Sequence, residues 1–143
     1  MEKCFANFVR FFDDNGNPRT AIIERFASML GKSYEEAKVL FIPTAALIPG
    51  DANPAYVQLC MNDLLLLGIP MENILTYDID GSLAEKDAVA FDVIFFTGGN
   101  TPYLEKRIRK TGFDKIIKKW FMQTKFMWNK CGEYAHYDRF QRR

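Results

Sequence analysis

The chain has 143 residues, enough for one domain that buries roughly 70% of its unfolded surface, and nothing calls for a second domain. Nineteen Lys and Arg against eighteen Asp and Glu leave a net charge of +1, which excludes a bulk electrostatic attraction to nucleic acid or an acidic membrane and favours a neutral partner or small substrate. Cys4, Cys60 and Cys131 are scattered without CxxC spacing, the start Met-Glu-Lys-Cys-Phe lacks a signal-peptide core, and no apolar run nears the ~18 residues of a membrane span, so a soluble cytoplasmic protein with no disulfide, zinc or other cofactor is expected.

Asp13 to Pro18, Asp-Asp-Asn-Gly-Asn-Pro, reads as a turn, and a helix should follow from Arg19 to Leu30 with Ile22, Ile23, Phe26 and Leu30 inward and Gly31 as its stop. Lys38 to Ile42 is a short continuous apolar run, the pattern of a strand covered on both faces. Pro54 to Leu67 is helical, with Val57, Met61, Leu64 and Leu65 on one face; Gly68 ends it and Pro70 prevents its continuation. A weaker strand is expected at Ile74 to Tyr77 and a second strong one at Asp92 to Phe96. Thr101-Pro102 then suits the N-cap and first turn of a helix carrying Leu104 and Ile108 to Gly112, and a last helix runs from Phe113 to Trp120 with Phe113, Ile116, Ile117 and Trp120 buried.

Strands alternating with helices of this length imply right-handed crossovers and a mostly parallel sheet between two helix layers. Val93 to Thr101, Val-Ile-Phe-Phe-Thr-Gly-Gly-Asn-Thr, is the most informative stretch. In an open α/β sheet the ligand lies beyond the carboxyl ends of the strands, where glycines let a backbone N–H approach closely. Gly98, Gly99, Asn100 and Thr101 are therefore candidate active-site residues, with Thr44 and Ala45, after the other strong strand, as candidate pocket lining. The plainer reading of each loop is a strand-end turn that caps a helix.

The chain changes character at Phe121. Residues 121–143 carry five basic and two acidic side chains and six aromatics, with neither helical nor strand periodicity, whereas an α/β domain would normally continue into another central strand. A sheet lacking that strand would expose an edge and favour a homo-oligomer. His136 and Cys131 sit in this tail without the flanking pattern of a general base or an elbow nucleophile. Its net charge of +3 is thin support for RNA binding, and Asp78 and Asp80 have no third partner for a metal.

Phe41-Ile42-Pro43-Thr44-Ala45-Ala46, Asn62-Asp63-Leu64-Leu65 to Gly68-Ile69-Pro70, and above all Phe96-Thr97-Gly98-Gly99-Asn100-Thr101 with Tyr103-Leu104 and Gly112-Phe113 resemble the peptidase E family over roughly Lys38 to Trp120. The resemblance implies a class I glutamine amidotransferase-like α/β fold and hydrolysis of short peptides by a serine. That serine sits in a Gly-x-Ser-Ala-Gly-Ser elbow and is activated by a later histidine and acid, with Gly98 and Gly99 beside the oxyanion. No such elbow follows Trp120, so the catalytic nucleophile is absent as printed. Trp128 to Tyr134 can be encoded TGG AAT AAG TGC GGG GAG TAT, which on loss of one nucleotide reads Gly-Ile-Ser-Ala-Gly-Ser. The expectation is a partial peptidase E-like domain over residues 1–120 and an out-of-frame tail over 121–143, inactive as printed. The alternative is a non-catalytic module, either flavodoxin-like and holding an anionic small molecule at the same glycine crevice, or an assembly domain.

Overall fold

The computed structural model describes residues 4–7 and 10–122; the tail expected to be out of frame lies outside the described residues from 123 onward. Four strands, β1 (Cys4–Asn7), β2 (Val39–Ile42), β3 (Ile74–Thr76) and β4 (Val93–Phe96), form one sheet in the order β1-β4-β2-β3, and every neighbouring pair is parallel. The helices are α1 (Thr20–Leu30), α2 (Pro54–Leu67), α3 (Glu85–Ala88), α4 (Thr101–Thr111) and α5 (Phe113–Met122).

The strand order fixes the layers. The connections from β1 to β2 and from β2 to β3 cross the sheet in one direction and the connection from β3 to β4 returns, so right-handed crossovers place α1 and α2 on one face and α3 on the other. The packing agrees. Phe95 is stacked on Phe41 across β4 and β2, 5.7 Å between ring centres, and Phe11 bridges Phe95 to Phe26 of α1. Tyr56 and Cys60 of α2 lie against the same strand end. Both α3 and α4 pack on α5, whose Trp120 donates its indole N–H to the Phe91 carbonyl at 3.0 Å.

β2 and β4 are buried at all four positions, as their unbroken apolar runs require. β3 is an edge, with Leu75 45% exposed, and is one residue shorter than the sequence pattern; Tyr77 N–H still donates to the Phe41 carbonyl at 2.8 Å, extending the ladder past it. Two elements had no periodicity to announce them: β1, only four residues long, and the single turn α3. α5 runs on to Met122, two residues beyond the expected end.

The inward stripe of α2 differs from the apolar spacing. Cys60, Asp63 and Leu64 are the buried residues, whereas Val57, Met61 and Leu65 are only partly covered. Asp63 turns inward because it has partners there. Its two oxygens take a forked pair of bonds from Arg10, 2.8 Å and 3.2 Å, and one of them also accepts the Phe11 N–H at 2.9 Å. A buried carboxylate so paired is tolerated, and it pins the segment before α1 onto α2.

Removing it leaves a guanidinium and a backbone N–H facing a cavity. Asp63→Ala is expected to lower stability by about 3 kcal/mol and the melting temperature by about 10 °C. Thermal unfolding followed by circular dichroism checks this, and a drop under about 2 °C would show that Asp63 does not hold the layers together.

Candidate active site

β2 and β4 are neighbours whose outgoing connections lead to opposite faces, to α2 and to α4. Their carboxyl ends therefore form a topological switch point, where two loops diverge and leave a crevice. The crevice is there, about 450 Å³, lined by Ala45, Ala46, Ile48, Asp51, Ala52, Asn53 and Tyr56 from the β2–α2 side and by Gly99 and Asn100 from the β4–α4 side. Asp51 is the one charged residue of that lining and is exposed.

The two walls meet at the Ala45–Ala46 peptide, where the first of two bonds crosses between them and the second folds the β2–α2 wall on itself. Asn100 N–H donates to the Ala45 carbonyl at 2.8 Å, and Asn53 N–H donates to the Ala46 carbonyl at 2.7 Å. Gly99 lies flat against the same peptide. A Cβ built on Gly99 would stand 2.3 Å from the Ala45 oxygen and 2.8 Å from the Ala46 nitrogen, and its φ of +140° is itself a conformation that side chains resist. The second glycine is thus demanded by both space and backbone.

Each helix that leaves the crevice is capped from it. Asn53 Oδ1 accepts from Tyr56 N–H at 3.2 Å with Pro54 opening α2, and Asn100 Oδ1 accepts from Tyr103 N–H at 2.9 Å. The cap of α4 is therefore Asn100, not Thr101, which occupies the first helical position followed by Pro102. A short polar side chain one residue earlier reaches the free N–H groups, and the threonine is carried inside the helix.

The remaining sequence candidates divide by what they face. Ala45 lines the crevice. Thr44 does not: it is fully buried, and its hydroxyl donates to Asp78 Oδ1 at 2.8 Å while accepting from Ile79 N–H at 2.9 Å. It ties the loop after β2 to the loop after β3 and supports the crevice from behind. Asp78 is thereby engaged as a hydrogen-bond acceptor, and the Asp80 carboxyl pKa is lowered by Ser82, through its side chain first and then through its N–H, which donates to Asp80 at 2.9 Å.

Along the glycine loop, three successive N–H groups have alternating fates. Gly98 is buried and donates to the Tyr56 hydroxyl at 3.0 Å, and Asn100 donates to Ala45. Gly99 N–H, between them, has no acceptor among the described residues, and Gly99 is exposed in the crevice. One open backbone donor at the mouth of a helix-bearing loop is what a developing oxyanion, or any anionic oxygen, can use. Sequence reasoning singled out both glycines but missed Tyr56, Asn53 and Asp51. Tyr56 has no local signal, since its bond to Gly98 spans forty-two positions.

The model for peptidase family S51 matches residues 13–127. No curated protein matches the chain. Among solved structures, a protein from Listeria monocytogenes EGD-e that carries the description peptidase E is similar in fold, with a TM-score of 0.58 and 23% sequence identity. The similarity covers 86% of this chain and 55% of that one, so the chain spans about half the length of that relative.

The geometry makes Gly99→Ala costly, at least about 3 kcal/mol, because the new methyl overlaps backbone rather than a movable side chain. Gly112→Ala, at a helix end with open space around it, is the matched control and should cost about 1 kcal/mol. Urea unfolding of both variants separates the two effects; equal losses would mean that the loop after β4 does not press on the Ala45–Ala46 peptide.

Proposed function

Because the chain belongs to peptidase family S51, we propose that its crevice is the substrate half of a serine peptidase site for short peptides, with the nucleophile encoded in the frame adjacent to the printed tail. The observation that carries the reading is the open Gly99 N–H in a crevice at the switch point, where a scissile carbonyl would receive an oxyanion donor. Asp51, the charged group of that lining, suits the ammonium of a peptide with a free amino end.

The chemistry on this reading is acyl transfer. A serine held on an elbow beside the glycine loop attacks the carbonyl carbon, a histidine takes the serine proton and returns it to the leaving amine, and Gly99 N–H bonds the oxygen as it becomes negative. Of these groups the described residues supply the amide donor and the walls. The family match runs through residues 121–127, the start of the segment expected to be out of frame, and ends one position before Trp128, so on this reading the frame changes there, where the shifted reading would place Gly-Ile-Ser-Ala-Gly-Ser. That coincidence supports the frame proposal. The buried Cys60 thiol, its pKa pushed up by burial, suits a reducing compartment such as the cytoplasm. Among the described residues no helix is long and apolar enough to cross a membrane.

The test begins with the coding DNA past Lys115. The printed chain and the neighbouring-frame continuation are both expressed and assayed on Asp-X and other unblocked dipeptides by mass spectrometry. The continuation should hydrolyse them and lose about 10⁴-fold or more when the elbow serine is replaced by alanine, while the printed chain stays at background. A closed neighbouring frame, or hydrolysis by the printed chain at the rate of the continuation, would refute the proposal.

A further inference from the structure

Beneath the crevice wall lies a buried polar nest at the end of β4, formed by Arg10, Tyr56, Cys60, Thr97 and Gly98 against Phe95 and Phe96. Tyr56 belongs to both spaces. Its ring lines the crevice, and its hydroxyl enters the nest.

Gly98 N–H donates to the Tyr56 oxygen at 3.0 Å, and Cys60, one helical turn along α2, lines the same nest. Burial raises the pKa of both groups, so the phenol stays protonated and the thiol neutral at physiological pH. The orientation of the phenol is set from below as well. Tyr56 sits in the first turn of α2, where Asn53 caps its N–H, and Asn53 is itself bonded to Ala46.

We propose that Tyr56 is a positioning residue that selects the donor of the crevice: by taking Gly98 N–H, its hydroxyl fixes the Gly98 peptide plane and leaves Gly99 N–H as the open donor for a substrate carbonyl oxygen. Without that acceptor, Gly98 and Gly99 would offer two adjacent open amides, only the second of them held in place by its contact with the Ala45–Ala46 peptide. With it, the pattern of tied, open and tied amides is rigid before substrate arrives, which is the condition for an oxyanion donor to act without reorganising. The catalytic meaning rests on the peptidase reading above; the structural selection does not.

The nest also contains the Thr97 hydroxyl, which is buried and has no hydrogen-bond partner among the described residues. It lies next to Gly98 in sequence, yet the phenol is the group that Gly98 uses.

The experiment is amide hydrogen exchange by nitrogen-15 NMR on the chain and on Tyr56→Phe, with Leu40 of β2 as a core reference, followed by titration with the dipeptide Asp-Leu. Tyr56→Phe keeps the ring and removes the acceptor. Gly98 exchange should rise about tenfold while Leu40 changes less than about twofold. Cys60→Ala, which leaves the phenol in place, should keep Gly98 protected. Asp-Leu should shift the Gly99 amide in the chain, and its affinity should fall about threefold or more in Tyr56→Phe. Unchanged Gly98 exchange, a uniform rise that includes Leu40, or equal Asp-Leu affinity in two proteins that both bind it through the Gly99 amide overturns the proposal. A chain whose Gly99 amide ignores Asp-Leu, while Gly98 responds to the substitution, sinks the peptidase reading and leaves the selection by Tyr56 standing.

Discussion

The contact of Gly99 with the Ala45–Ala46 peptide is the constraint on which the rest of this molecule turns. Two strands that run side by side send their chains to opposite faces of the sheet, and such loops would ordinarily part and remain independent. Here the backbone of one lies on the backbone of the other, close enough to exclude any side chain; the bond from Asn100 to Ala45 closes the seam, and the bond from Asn53 to Ala46 folds the β2–α2 loop back beside it. The helices that follow are then started from the seam itself, by the side chains of those same two asparagines. Loop closure, helix capping and crevice shape are consequently one structural event, and the chemistry available at the crevice is backbone chemistry.

Much of this was legible in the chain because the strong strands advertise themselves. A strand buried on both faces has no polar positions to spare, so Val39–Ile42 and Val93–Phe96 could be read directly, and the glycines after the second marked the place where backbone approaches backbone. What escaped is instructive. Asp63 faces inward because Arg10, fifty-three positions away, waits for it, and no local pattern reports a partner that distant. The same holds for Tyr56 and Gly98. Asn100 rather than Thr101 caps α4 because the helix starts one residue earlier than the Thr-Pro signal suggests. Thr44 was placed at the correct loop, but its hydroxyl answers to β3's following loop instead of the crevice. Long-range polar pairs decide orientation within elements whose existence local patterns already reveal.

Family membership and fold carry different weights in the functional argument. The match to peptidase family S51 covers most of the chain and shows the family, whereas the similarity to the Listeria protein, at 23% identity, speaks for the fold and for a chain about half as long. The crevice adds what neither provides, namely which atoms of these residues can act. Thr44 supports the loop, Gly98 is committed to Tyr56, and Gly99 holds the uncommitted donor. A peptidase site assembled on this scaffold would draw its electrostatic stabilisation from a rigid amide rather than from a charged side chain, which is favourable where water is excluded and the donor need not move.

The most direct test of that account is a crystal structure of the chain soaked with an unblocked dipeptide. The account predicts the peptide carbonyl oxygen about 3 Å from Gly99 N, with Gly98 still bonded to Tyr56 and Asn100 to Ala45. A dipeptide bound elsewhere, or a Gly99 N–H turned inward onto a protein acceptor, would contradict it.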